Sequence, residues 1–223
     1  MIRQEQKEFE VNIMSALRLL SAFVLLAVPF TTQSAVEFYV SEVGIYSTEV
    51  SGATTIDFND YSCGSAVSCS GNGQIVSGSL SGRYASPYGI DSAYLSVPQN
   101  GGSGSVSLGL DGAYNYYGLY WGSIDNYNSI DFYLEGTWVG GFGGADLGPL
   151  SADGGQGSWT SNRFINFMFS GGDLFDMVML SSDGYAFESD NHAYANVPEP
   201  PVFVVLAVGL AGLLVTRRHL ANR

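Results

Sequence analysis

The residues best suited to chemistry stand in one run, Tyr116-Tyr117-Gly118-Leu119-Tyr120-Trp121-Gly122-Ser123-Ile124-Asp125-Asn126-Tyr127-Asn128. Aromatic rings offer apolar faces to sugar rings, and neighbouring carboxylates and amides satisfy hydroxyl groups. Trp121, Asp125 and Asn128, with Trp138 and Trp159 further on, are therefore a candidate glycan platform. The competing reading makes the same rings interior packing, since large aromatics dominate β cores. Two acidic clusters, Asp57-Phe58-Asn59-Asp60 and Glu188-Ser189-Asp190-Asn191, supply hard oxygens. Asp57, Asp60, Glu188 and Asp190 are thus candidate ligands for one structural calcium, which takes about six to eight oxygens gathered from several segments. Asp and Asn are also what turn geometry favours, so both readings stand. No other cofactor is expected.

Catalytic chemistry is poorly provided for. Between Val36 and Asn196 there is one histidine, His192, no lysine, and two cysteines, Cys63 and Cys69. A lysine Schiff base is excluded there, and no Gly-x-Ser-x-Gly nucleophile turn occurs. Carboxylates are plentiful enough for a glycoside-hydrolase pair, but abundance does not make a pair. The expectation is a protein that is not an enzyme, with His192 an ordinary polar residue near the end of the last strand.

The elements that must position these residues read as strands. Short stretches rich in Val, Ile, Tyr, Phe and Ser alternate with Gly, Asn, Asp and Pro clusters. The pattern predicts strands near 55–58, 74–80, 93–97, 105–110, 117–121, 129–134, 138–140, 164–169, 177–180 and 186–189. Ile130, Phe132 and Leu134 alternate with Asp131, Tyr133 and Glu135, the period of a half-buried strand. Residues 164–169 are apolar on both parities except Asn166, which predicts a central strand covered on both faces. Glycine-rich stretches 100–104 and 140–157, the latter with Gly-Gly-Phe-Gly-Gly and Asp-Gly-Gly-Gln-Gly, read as flexible surface loops, and the sharper alternative is a loop face that binds a glycan or a metal. The expected fold is all-β, a single β-sandwich of jelly-roll type over residues 36–196.

Charge in this span is lopsided: seventeen Asp and Glu stand against Arg83 and Arg163 alone. Nucleic acid and anionic membrane surfaces would repel it, so neither is an expected partner of the body. Cys63 and Cys69 enclose a short loop. Two thiols without further Cys or His nearby make a poor zinc site, so a disulfide is expected, provided the chain is exported to an oxidising compartment.

Both ends speak for export. Residues 1–13 are polar and charged, an atypical extension. From Met14 onward Arg18 supplies a positive region, Leu19 to Phe30 an apolar one, and Thr31 to Ala35 a small-residue cleavage zone, so residues 1–35 read as a signal peptide. At the other end come Val197-Pro198-Glu199-Pro200, an uncharged apolar run from Val202 to Val215, and then Arg217-Arg218. The prolines keep the motif out of helix and central strand. The apolar run reads as a membrane helix, about 22 Å long against a hydrocarbon core of roughly 30 Å. The arginines stop it on the cytoplasmic side.

Motif, apolar helix and basic tail, residues 197–223, resemble the PEP-CTERM sorting signal of Gram-negative bacteria. The resemblance implies recognition by an exosortase, a transient hold in the inner membrane, and delivery to the cell surface or extracellular matrix. It further implies an exopolysaccharide or biofilm setting, with extracellular polysaccharide a candidate partner. Pieces between Tyr116 and Tyr194 are similar to β-rich ectodomains that precede such signals, some of them like carbohydrate-binding jelly rolls. The expected function is a non-enzymatic exported surface or matrix protein. A secreted carbohydrate-binding module is the alternative, and a secreted glycan hydrolase a more distant one.

Overall fold

A computed structural model describes residues 36–64, 67–100 and 102–198. The expected signal peptide, the apolar run 202–215, Glu199, Pro200, Arg217 and Arg218 lie outside the described residues. Among those described, no helix is long and apolar enough to cross a membrane.

The body is all-β. Twelve strands follow in order: β1 Val36–Val40, β2 Thr54–Ile56, β3 Ser68–Gly71, β4 Gln74–Val76, β5 Tyr94–Val97, β6 Gly104–Tyr114, β7 Tyr116–Gly122, β8 Asn128–Leu134, β9 Thr137–Gly143, β10 Arg163–Phe169, β11 Phe175–Ser182 and β12 Phe187–Ala195. They form two sheets in which every pairing is antiparallel. The larger runs β1-β10-β7-β12-β5-β4, with β2 also against β12; the smaller runs β3-β6-β11-β8-β9. Each of the ten expected strands has a counterpart. Two strands were not anticipated, β1 and β3. β1 alternates half-buried Val36, Phe38 and Val40 with exposed Glu37 and Tyr39. β3 is exposed throughout and joins β6 by its backbone, so its sequence carries no apolar signal.

The two sheets face each other across one core. Tyr117, Leu119, Trp121, Ile165 and Phe167 come from the larger sheet; Val106, Leu108, Ile130, Phe132, Val178 and Leu180 come from the smaller. The fold is therefore β-sandwich-like. Phe132 is its hub, with ring centroids 5.1 to 5.9 Å from Tyr117, Phe167, Phe169 and Phe175. Edge and tilted contacts of this kind add to the apolar area they bury.

The outer face of the larger sheet is covered too, by loops rather than by a third layer. Tyr120 and Phe164 pack with Ile90, Ile45, Tyr46 and Trp159. Tyr116, Ala193 and Ala195 pack with Val50 and Ala53. This cover is why β10 is apolar on both faces. Its one polar interior residue, Asn166, accepts from the Tyr116 hydroxyl at 2.8 Å and donates to Ser41 Oγ at 2.9 Å. A buried amide so partnered does not cost the penalty of an unsatisfied one.

Part of the expected glycine loop is in fact strand. Gly140, Gly141 and Gly143 belong to β9. A Cβ at Gly140 would meet Val36 Cγ1 at 2.5 Å, and one at Gly141 would meet the Ile130 carbonyl at 2.8 Å. Glycine is used here for close approach, not for flexibility. The expected disulfide, Cys63–Cys69, is formed, and it ties the loop after β2 to the edge strand β3.

Removing the Phe132 ring should lower stability by about 3–5 kcal/mol, the usual cost of emptying a core aromatic site. Val43, which is exposed, should tolerate Val43→Ala within about 0.5 kcal/mol. Urea unfolding of the two variants checks this; equal losses would contradict the position of the core.

Candidate functional site

Among the described residues, the buried acids and the buried histidine, Glu188, Asp190 and His192, all stand on one strand. In β12, Phe187 and Ser189 face inward, and so do His192 and Tyr194; the parity changes between them. The change is a bulge, where the register against β7 shifts between Asp190 and Ala193 and Asn191 takes φ +50°. Asn is among the few non-glycine residues that accept this conformation readily. One consequence is that Glu188 and Asp190 point to the outer face, beneath the segment leading into β5, while His192 enters the core.

His192 is fully buried. Its Nδ1 lies 2.9 Å from the Tyr117 hydroxyl and its Nε2 2.9 Å from Ser189 Oγ. Phe58 meets the imidazole edge-on at 4.9 Å. Burial pushes the ring down to about 3, so it is neutral at working pH. It is thus a satisfied core histidine, not a residue at the strand's end.

Glu188 is 2% exposed and forms the floor of a cleft of about 480 Å³. Its Oε1 accepts the Ala85 N–H at 2.8 Å, and Oε2 pairs with Ser123 Oγ at 2.5 Å. Burial raises the carboxyl to about 8, against these two hydrogen bonds, which lower it; the charge of Asp125 adds to the rise. Glu188 therefore carries its proton at neutral pH. Asp125, at the cleft wall, is also raised, first by burial; the nearby Tyr127 hydroxyl opposes this and Asp153 reinforces it. Asp190 is raised to about 6 by burial, although the Asn191 N–H and Ser92 Oγ both donate to it.

Four segments build the cleft. The first is a tight turn in which Leu80 N–H donates to the Tyr84 carbonyl at 2.9 Å and Tyr84 N–H to the Leu80 carbonyl at 3.1 Å. It presents Arg83 and Tyr84. The second follows β7 and carries Ser123 and Asp125. The third holds Gly154 and Gln156, bound to the second by the Gly154 N–H donating to the Ile124 carbonyl at 2.9 Å. Gly154 has φ +67°, and a Cβ there would fall 2.7 Å from Asp125 Oδ1, so glycine is required on both counts. The fourth is Tyr185–Ala186, leading into β12. Asn162 ties the second and third together and to Tyr88: its Oδ1 accepts Ser123 N–H at 2.8 Å and Tyr88 N–H at 3.0 Å, while its Nδ2 donates to the Gly155 and Ser158 carbonyls.

The expected glycan platform is not assembled. Trp121 is 0% exposed and stacks on Phe187 at 4.2 Å, inside the core. Trp159 packs between Tyr46 and Tyr88 over the larger sheet. Trp138, 57% exposed on β9, donates its indole N–H to Asp131. Asn128 is buried, where it accepts Asp125 N–H at 2.9 Å and donates to Ser182 Oγ. Of the five residues, only Asp125 lines the cleft.

The expected calcium ligands do not converge either. Asp57 and Asp60 serve their own turn, accepting from Asn59 N–H and from Ser62 N–H and Oγ. Asp57 lies near enough to Asp190 for its charge to be felt there. Glu188 turns to Ala85 and Ser123 instead. Among the described residues no three Asp, Glu, His or Cys gather as a metal site. Ser123, Asn162, Arg83 and Tyr185 were not anticipated at the site; only the Ser-Ile-Asp and Asp-Gly-Gly turns hinted at two of its walls.

The fold and cleft define an all-β, two-sheet body with a polar pocket over a protonated acid. Set beside known proteins, the chain matches no family model, no curated protein and no solved structure.

A carboxyl raised by folding holds its proton more tightly in the folded chain, so its stabilising share is complete below its ordinary 4.5 and is lost as pH climbs through about 8. Between pH 7.5 and 8.5 Asp190, raised to about 6, and a histidine released by unfolding, with its ordinary 6.5, have both lost their protons, leaving Glu188 dominant. The melting temperature should fall over that interval, and Glu188→Gln, which mimics the protonated acid, should flatten the slope. Equal slopes in thermal melts of the two proteins would show that Glu188 is ionised throughout.

Proposed function

We propose that the chain is a non-enzymatic exported surface or matrix protein, whose cargo is a jelly-roll-like β-sandwich body, residues 36–196. In this reading residues 1–35 direct export. Residues 197–223 act as a PEP-CTERM-type sorting signal, held briefly in the inner membrane and processed by an exosortase. Glu199 and its flanking prolines, Pro198 and Pro200, are the recognition elements.

The observation that carries the reading is where the body stops. β12 ends at Ala195, and Asn196 donates to the Ala113 carbonyl. The Asn115 side chain then grips Val197 from both sides: Val197 N–H donates to its Oδ1 at 2.7 Å, and its Nδ2 donates to the Val197 carbonyl at 2.8 Å. Pro198, next in the chain, is exposed. The last strand is thus tied off at the first residue of the motif, which leaves the body intact whether or not the segment beyond is removed. The Cys63–Cys69 disulfide suits an oxidising destination. His192, neutral and committed to Tyr117 and Ser189, is not placed to act as a catalytic base.

The intact mass of the protein recovered from the cell surface of its native host tests the proposal. The expected mass lacks the first 34 or 35 residues and ends near 197–201. Added mass beyond that would report glycosylation or covalent attachment. A mass retaining 202–223 would mean a permanent anchor and would remove the sorting argument.

A further inference from the structure

We infer that the cleft above Glu188 is a binding site for an uncharged saccharide unit, held between the Asp125 carboxylate and the Arg83 guanidinium. This goes beyond the export reading and stands whether or not the C-terminal segment is processed.

The cavity comes first. At about 480 Å³ it falls within the roughly 300–1,000 Å³ of small-molecule sites. Its wall is built by side-chain and backbone bonds from four separate segments, not by one mobile loop. Sugars present adjacent hydroxyl groups that each donate and accept, and so they need both kinds of partner close together. The cleft has them: Asp125 accepts, Arg83 donates, and the Gln156 amide does both. Tyr84 and Tyr185 add ring surface for the apolar face of a pyranose.

Charge selects against the other ligand classes. An anion would have to approach Asp125, with Asp153 behind it. A cation would meet Arg83, and would find both Glu188 oxygens already engaged by Ala85 and Ser123. A neutral polyhydroxylated ligand has neither difficulty. Glu188, carrying its proton, shapes the floor without adding charge to it.

Calorimetric titration of the full-length protein is the test. The probes are glucose, galactose, mannose and N-acetylglucosamine, with glucuronate and glucosamine as charged counterparts. At least one neutral probe should bind saturably at one site. Arg83→Ala and Asp125→Asn should each weaken it about tenfold, as expected for losing a hydrogen bond to a charged group. Trp138→Ala, outside the cleft, should leave it within about twofold. Arg83 is exposed on its turn, so Arg83→Ala decides the matter alone if Asp125→Asn does not fold. The proposal is overturned if no neutral probe saturates, if a charged counterpart binds more tightly, or if Trp138→Ala abolishes binding that Arg83→Ala leaves intact.

Discussion

The single extra residue in β12 sets much of the rest. A strand without it would send every second side chain from Phe187 onward to the same face, and one of two outcomes would follow. Either Tyr194 would leave the core, or Phe187 would. With Asn191 in the left-handed region, both stay inside, and the strand bends enough to share its far edge between β5 and β2. The acids before the bulge are left on the outer face, where the segment between β4 and β5 can close over them. Bulges near functional sites commonly re-aim side chains in this way.

That arrangement makes the outer surface of the larger sheet a second, smaller interior. It is richer in oxygen than the first. Tyrosine hydroxyls reach backbone carbonyls across it, Tyr94 to Gly78 at 2.6 Å and Tyr120 to Tyr88 at 2.7 Å. Each ring supplies apolar area while its hydroxyl fastens a loop that has no regular structure of its own. Burial holds both hydroxyls protonated, well above the usual tyrosine range. The loops are thus held by many directional bonds of modest individual strength, about 1 kcal/mol each.

Strands were legible in the sequence because their signal is local. Ile130-Asp131-Phe132-Tyr133-Leu134 declares its period within five residues, and β10 announces its two covered faces by composition. β3 was illegible, since Ser-Cys-Ser-Gly is exposed throughout and shows no apolar alternation. The candidate site was mostly illegible for a different reason. Its parts come from sequence positions as distant as Ala85 and Glu188, and what joins them is the Glu188 carboxyl together with one amide, Asn162, that looks like any turn residue. The tryptophans misled because ring chemistry says nothing about which way a strand faces. Trp121 shares its parity with Tyr117 and Leu119, both core residues, whereas Tyr120 and Tyr116 face the other way; only the full sheet order decides which side is the deeper one.

The placement of the two outermost described strands has a mechanical consequence. β1 lies at a sheet edge, bonded to β10 alone, whereas β12 lies in the interior of the same sheet with neighbours on both sides. Tension applied through Val197 would load β12 along its length, so its bonds to β7 on one flank and to β5 and β2 on the other would share the load in shear. The Asn115 grip on Val197 would be the first link to feel it. Tension from the other end would bear on a single row of bonds. A body hung from its C-terminal end is therefore fastened by its better-anchored strand.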